Sequence, residues 1–266
     1  MKNIYTGKHI IITGASMGLG KSLAERFAKD GCPLILLSLP GEGLLYYGNR
    51  LENKYGVRVR CYETDLSKKR NIEKFYEWVN SLEVEVGGLV NNAGFGGSAR
   101  FELTCAAHID NMLMVNVRAL TIMTRLFVPN LMLQDKSFIL NVSSIAAFKP
   151  MPFKTVYPAS KAFVYSFSVG LGEELKNSSV RVAVLHPGPM DTSNENGGRI
   201  SKHGIFGKMA CMSVEEVAEI AVNHLLRGKK VIVPGLFNKF CIRLMKLVPR
   251  SLAMPMMFRV VRKEIV

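Results

Sequence analysis

Lys8 to Gly20 reads KHIIITGASMGLG, and this stretch decides the fold. Lys8 to Thr13 is a short β-branched apolar run, the composition of a strand buried on both faces. Gly14, Gly18 and Gly20 follow at once, with Ala15, Ser16, Met17 and Leu19 between them. A helical pattern then runs from about Leu19 to Lys29, with Leu23, Ala24, Phe27 and Ala28 on one face and Gly31 as its stop. A strand, a glycine-rich turn and a helix in that order form a site for a dinucleotide pyrophosphate. The glycines let the backbone approach the ligand closely, and the helix N-terminus supplies N–H donors and a favourable dipole.

The same alternation continues along the chain. Strands are expected at Leu34 to Leu39, Val57 to Tyr62, Gly88 to Asn91, Ser137 to Val142, Val180 to Leu185 and Val231 to Val233. Helices are expected at about Leu44 to Tyr55, Lys68 to Leu82 with Ser67 as N-cap, Ala107 to Leu133, Tyr157 to Lys176, and from the Ser213 cap to Leu226. Strands that alternate with helices and are apolar throughout predict a Rossmann-like, doubly wound parallel sheet of about seven strands, with helices on both faces of one α/β domain. Residues 1–235 form that domain. Residues 189–212 within it, rich in Gly and Ser, read as a substrate lid, and 236–266 as a basic amphipathic extension.

Composition narrows the function classes. The chain has 266 residues, 48% of them hydrophobic. No apolar run reaches the ~18–20 residues of a spanning helix, and the N-terminus lacks a signal-peptide pattern, so a cytoplasmic protein is expected. Cys32, Cys61, Cys105, Cys211 and Cys241 show no metal spacing, and no His-Glu-x-x-His occurs; no metal is expected. The net charge is +14. Nine basic residues and one acid lie from Lys229 to Val266, a net +8, so the excess belongs to the tail. A charge concentrated in one helix with few aromatic stacking residues argues against a nucleic-acid binder.

Ser144 to Lys161 reads SIAAFKPMPFKTVYPASK. Tyr157 and Lys161 stand i, i+4, one turn apart on a helix face. A phenol has a pKa near ~10, and a neighbouring cation favours the phenolate. Tyr157 is therefore a candidate general acid/base with Lys161 as its tuner, and Ser144 is placed to hydrogen-bond a substrate oxygen. By itself such a pair is more often a solvated helix face.

The order of motifs removes that ambiguity. TGASMGLG at 13–20, Asp65-Leu66, NNAG at 91–94, Asn116 in MVNV, Ser144 in NVSS, Tyr157-x-x-x-Lys161 and PGPMDT at 187–192 appear in the sequence of a short-chain dehydrogenase/reductase. Residues 7 to 235 resemble that family, and NNAGFG and YPASKAF resemble its acyl and steroid-type ketone reductases. The resemblance implies Tyr157 as proton donor and Ser144, thirteen residues earlier, as the hydroxyl holding the substrate oxygen. It implies that Lys161 also hydrogen-bonds the nicotinamide ribose and that Asn116 anchors a water leading to Lys161. Asn92, Ala93 and Gly94 would line the adenosine side, Asp65 with Leu66 the adenine, and Pro187, Gly188 and Thr192 the nicotinamide. The activity implied is hydride transfer between NAD(P)(H) and a carbonyl or secondary alcohol.

An acid at the end of the second strand selects NAD, a base NADP. Here Leu37-Ser38-Leu39-Pro40 offers neither, and Met17 stands where NADP-dependent relatives often carry a base. With no acid to repel a 2′-phosphate, Ser38 to hydrogen-bond it and Lys21 or Arg50 as candidate cations, NADP(H) is favoured over NAD(H). Phe95, Phe148, Met151, Phe153 and Met190 predict an apolar pocket for a hydrophobic ketone or alcohol. A 3-oxoacyl thioester reductase and a cofactor-binding sensor remain as alternatives. A homodimer or homotetramer is implied by the resemblance. From Leu236 to Arg250, Lys239, Arg243, Lys246 and Arg250 recur every three or four residues among apolar ones. Such a helix fits an anionic membrane surface, an acidic acyl carrier protein, or packing on the body or a dimer mate with its basic face in solvent.

Overall fold

The computed structural model describes residues 5–191 and 210–265. Seven parallel strands form one sheet: β1 (His9–Thr13), β2 (Leu34–Ser38), β3 (Val59–Glu63), β4 (Val86–Asn91), β5 (Ser137–Val142), β6 (Val180–Leu185) and β9 (Val231–Ile232). Their spatial order is β3-β2-β1-β4-β5-β6-β9, so the winding reverses between β1 and β4. Ligands of such sheets bind at the carboxyl ends of the strands beside that reversal. The glycine turn leaves β1 there. A separate two-residue parallel pair, β7 (Met190–Asp191) with β8 (Met212–Ser213), lies inside the expected lid. The rest of that lid, residues 192–209, lies outside the described residues and takes Thr192 with it.

Alternation along the strands builds two cores. Ile10, Ile12, Leu34 and Leu36 point to one face, where α1 (Gly18–Lys29), α2 (Leu44–Tyr55) and α7 (Val214–Leu226) bring Phe27, Leu51 and Val222. Ile11, Ile35 and Leu37 point to the other, towards Phe75 and Val79 of α3 (Lys69–Ser81). A continuous helix packs on the same face: α4 (Ala106–Leu113), a π-helical segment (Met114–Ala119) and α5 (Leu120–Met132). At 27 residues it is, against expectation, long and apolar enough to cross a membrane by length and composition. Its Ala119, Met123, Phe127 and Leu131 are instead buried against the sheet. Arg118 and Arg125 interrupt the apolar sequence without stopping the helix, which is why no uninterrupted apolar run marks it.

The remaining helices are α6 (Val156–Glu174), α8 (Leu236–Leu247) and α9 (Arg250–Ile265). α9 was not expected from the sequence. Pro255 sits within it, and its apolar residues fall on more than one face, so the sequence shows no single amphipathic pattern. α7 begins as expected: Ser213 Oγ accepts from Glu216 N at 3.1 Å while the Glu216 carboxylate accepts from Ser213 N at 3.1 Å. Ser67 does not cap α3. Lys68 takes the cap position without a side-chain bond, and Ser67 turns to Asp65 instead, its N–H donating to Asp65 Oδ1 at 2.9 Å.

A buried polar ladder pins the centre of the sheet. Asn91 Nδ2 donates to Thr124 Oγ1 (3.0 Å) and to Asn141 Oδ1 (2.9 Å), and Asn141 Nδ2 donates to Ser168 Oγ (2.9 Å). Shifting β4 against β5 by one residue would strand these amides without partners. Beside the ladder, Gly88 faces Phe138, whose ring is held between Tyr5 (4.6 Å) and Phe27 (5.6 Å). A Cβ at Gly88 would overlap that ring. Gly88→Ala should therefore cost about 1–3 kcal/mol, as overpacking of a pinned core does. Urea denaturation of the two proteins checks it, and an unchanged midpoint would mean that Phe138 is free to move.

Candidate active site

The glycine turn is shaped by what its residues lack. Gly14 and Gly18 have φ of +64° and +52°, in the left-handed region that favours glycine. Gly20 lies so close to the Gly14 carbonyl that a Cβ would overlap it, and the same Cβ would come within 2.5 Å of Asn92 Nδ2. Asn92 closes the cradle from β4, its Nδ2 donating to Thr13 O (2.9 Å) and Gly14 O (3.1 Å). Thr13 Oγ1 accepts from the N–H groups of Asn92 (3.0 Å) and Ala93 (2.9 Å). The turn opens on the first N–H groups of α1, which has no acid in its first turn to compete for them. A side-chain-free cradle at a helix N-terminus fits a pyrophosphate.

Ser143 and Ser144 follow β5 and do different things. Ser143 is buried, and its hydroxyl donates to Lys161 O at 2.7 Å, tying β5 to α6. Ser144 is half-buried, accepts from Ala146 N at 3.1 Å, and its hydroxyl stands close enough to the Tyr157 phenol to favour the phenolate. The structure thus leaves Ser144, not Ser143, facing Tyr157. Lys161 is 5% exposed; its Nζ donates to Val142 O at 3.0 Å and lies 5.8 Å from the Tyr157 ring centroid.

Asn116 sits in the π-helical segment, where the widened turn turns its amide inwards. Its Oδ1 accepts from Phe95 N (3.0 Å), and its Nδ2 donates to Phe95 O (2.9 Å) and Ser160 Oγ (3.1 Å). A Cβ on Gly94 would stand 2.9 Å from Asn116 Oδ1 and 3.1 Å from Lys161 Nζ, so Gly94 brings the two together.

Burial governs the electrostatics. It pushes the Tyr157 phenol above its ordinary value, and the Ser144 hydrogen bond only partly offsets this. It pushes the Lys161 ammonium down to about 8. The expectation that Lys161 lowers the Tyr157 pKa is not met by this arrangement, because the ammonium is directed at a carbonyl and is itself destabilised. At Asp65, burial raises the carboxyl's pKa, but bonds from Ser67 and the nearby Lys68 ammonium outweigh it and leave it lowered.

The expected residues converge unevenly. Gly14 to Gly20, Asn92 to Gly94, Asn116, Ser144, Tyr157 and Lys161 share the carboxyl end of the sheet, with Pro187 and Gly188 just beyond β6. Ser38 is buried with its hydroxyl turned to Leu39 O at 2.9 Å, and Leu39 is exposed beside it. The reading that no acid stands near the ribose missed Glu42. Ser16 Oγ donates to Glu42 Oε2 at 2.5 Å, bringing a carboxylate to the glycine turn from the loop between β2 and α2. Glu42 lies four residues past the strand, outside the position at which an acid is sought. His186 was also missed; its Nδ1 lies 3.0 Å from Ser144 O and its ring packs on Phe148 and Tyr165. Among the described residues no cluster of His, Cys, Asp or Glu could hold a metal.

A parallel sheet of this order, with a glycine cradle after β1 and a Ser–Tyr–Lys set across its carboxyl end, defines a Rossmann-like α/β protein of the dehydrogenase type. The sequence profile of the short chain dehydrogenases matches residues 8–203, and the chain belongs to that family. It is 34% identical over 185 residues to a very-long-chain 3-oxoacyl-CoA reductase-B of Danio rerio, covering 68% of this chain and 59% of that one. It is 32% identical over 189 residues to the 17-beta-hydroxysteroid dehydrogenase type 3 of Mus musculus, covering 70% and 61%. The chain thus spans about three fifths of the length of these relatives. A short-chain dehydrogenase from Sphingobium yanoikuyae, solved in complex with NADPH, superimposes with a TM-score of 0.78 at 27% identity, covering 92% of this chain and 97% of that one.

Lys161 yields a stability prediction. The group is charged below about pH 8 in the folded protein and below about 10.5 in the unfolded chain. The unfolded state therefore binds more protons between these values, and stability rises with pH across the window. Relative to Lys161→Met, the wild type should gain about 3 kcal/mol between pH 7 and pH 10.5. Chemical denaturation at both pH values checks it; a constant gap would mean that Lys161 is well solvated.

Proposed function

We propose that the protein is an NAD(P)(H)-dependent oxidoreductase acting on a hydrophobic ketone or the corresponding secondary alcohol. The observation that carries this reading is the convergence of the Ser144 hydroxyl, the Tyr157 phenol and, one helical turn on, the buried Lys161 Nζ 5.8 Å from the Tyr157 ring and beside Gly94. Residues 14–20 would hold the pyrophosphate, Asn92 to Gly94 with Asp65 and Leu66 the adenosine, and Lys161, Pro187, Gly188 and Thr192 the nicotinamide ribose and ring. When bound, the cofactor supplies or accepts the hydride at the substrate carbon. Ser144 and Tyr157 polarise the substrate oxygen, and Tyr157 gives it a proton in the reducing direction. A phenol held protonated by burial is ready as the acid. Asn116 fixes the Phe95 backbone and, with Gly94, the wall against which the Lys161 ammonium sits.

Phe148, Met151, Phe153 and Met190, all half-buried, together with the exposed Phe95, would supply an apolar lining from the loops around the site. A 3-oxoacyl thioester is the alternative substrate class, supported by the name of the Danio rerio relative. For the cofactor, the NADPH bound by the Sphingobium yanoikuyae neighbour and the absence of an acid at Leu39 favour NADP(H). The Glu42 carboxylate on Ser16 is the observation that favours NAD(H). We keep NADP(H) first; an affinity for NADH about tenfold above that for NADPH would reverse the order. A homo-oligomer completes the reading, with Phe163 and Val169 of α6 exposed as apolar surface for it. The division between a body of residues 1–235 and an extension of 236–266 is kept, the body in the cytoplasm.

Tyr157→Phe should bind the cofactor as the wild type does and lose about 10²–10⁴-fold in turnover. The measurement is cofactor binding, then oxidation of NADPH and NADH against steroids, long-chain ketones and 3-oxoacyl thioesters. Turnover that survives the substitution removes Tyr157 as the acid. Binding without turnover in both proteins across the whole panel favours a sensor.

A further inference from the structure

We propose that α8 and α9 form a platform that docks on an anionic lipid surface and delivers lipid-dissolved substrate to the site. The delivery half rests on the hydrophobic-substrate reading above; the docking half stands on the geometry of the two helices.

The inner side of the platform is fastened to the loops around the site. Asn238 and Ile242 of α8 are buried. Asn238 Nδ2 donates to Pro234 O (3.1 Å) and Ala210 O (3.2 Å), and a Cβ on Gly188 would lie 2.5 Å from it, so α8 rests on the Pro187-Gly188 turn. Lys149, just after the 3₁₀ turn that Ser144 caps, donates from Nζ to Val248 O at 3.0 Å. Phe153, four residues before Tyr157, packs its ring 5.0 Å from that of Phe258 in α9. Phe153 holds a φ of +65°, a strained conformation for a bulky residue, at the point where the platform meets the site.

The outer side has the wrong polarity for solvent. Leu236, Phe240, Leu244 and Leu247 recur at intervals of four, four and three, which places them on one face of α8. They are 83%, 61%, 48% and 79% exposed. A helix that merely packed on the body would bury its apolar stripe and turn its basic residues outward. Here the buried face carries Asn238 and Ile242, and the outward face is apolar with Arg243 exposed among it. The pattern repeats in α9, where Leu252, Met256 and Val260 lie one turn apart and are exposed, next to exposed Arg259 and Arg262. Contiguous exposed apolar stripes of this kind mark interaction surfaces.

Charge selects the occupant. From Leu236 to Val266 the chain carries seven basic residues and one acid, Glu264. Two copies meeting through this surface would oppose the exposed Arg243, Arg259 and Arg262 to the same three arginines. An anionic bilayer satisfies both features at once: its acyl region takes the apolar stripes, and its headgroups take Arg243, Arg259 and Arg262. A platform seated this way sets the Phe153–Phe258 contact towards the bilayer, on the substrate side of Tyr157.

The test is flotation of the full-length protein with phosphatidylcholine vesicles, with and without phosphatidylserine, at low and at raised salt. The wild type should bind the anionic vesicles about tenfold or more tightly than the neutral ones, and salt should release it. Leu244→Glu with Leu247→Glu should lower binding about tenfold or more, with melting temperature and cofactor affinity unchanged. Anionic vesicles should also raise turnover of a lipid-soluble ketone by the wild type but not by this variant. Three results overturn the docking: no binding of a folded wild type to anionic vesicles at low salt, undiminished binding of the variant, or dissociation of an oligomer by the variant with vesicle binding intact. Vesicle binding with equal turnover in and out of lipid overturns the delivery step alone. Turnover absent everywhere, with vesicle binding intact, strikes the oxidoreductase reading and leaves the docking in place.

Discussion

Three backbone segments approach one another more closely at the end of β1 than side chains would allow. The Gly14 turn, the first turn of α1 at Gly20 and the Asn92–Gly94 exit of β4 occupy one small volume, stitched by Thr13 Oγ1 and Asn92 Nδ2. This contact fixes α1 over the sheet and brings the β4 loop under the same opening. It also sets Gly94 against Asn116 and Lys161. The cradle and the Ser–Tyr–Lys set are therefore parts of one construction, and a Cβ at Gly20 would disturb both.

The electrostatic state of the site follows from packing more than from pairing. Tyr157 and Lys161 are held where water is scarce, so both are driven towards their neutral forms. Helical spacing by itself suggests an ammonium stabilising a phenolate. The Val142 carbonyl, which takes the Lys161 Nζ, shows a different local balance. A neutral phenol beside Ser144 suits protonation of a substrate oxygen, and burial lets Lys161 lose its charge near pH 8.

The two C-terminal helices enter this construction from outside the sheet. Asn238 presses on Gly188, Lys149 reaches Val248, and Phe258 meets Phe153. Each contact lands on a loop that carries or adjoins a residue of the site. The extension is thus packed on the loops around the site rather than a free appendage, which its composition alone did not reveal.

The sequence by itself determined the sheet and the motif residues. Seven runs alternating with helices place β1 to β6 and β9 within a residue or two; β1, β2, β4 and β5 are buried on both faces and have little room for a polar residue, while the edge strand β3 carries the exposed Arg60 and Glu63. Ser213 and Glu216 announced α7 for the equally local reason that a capping box is four residues long. Tertiary structure decided whatever depends on residues distant in the chain. Asn116 becomes a clamp only because a π-helical turn faces it to Phe95, and Glu42 reaches Ser16 across a loop. The fate of the tail was also tertiary: amphipathic spacing shows that a helix has an apolar stripe, and only the body shows which side is already filled. Periodicity reports what a segment can bury, while orientation depends on what the rest of the chain leaves uncovered.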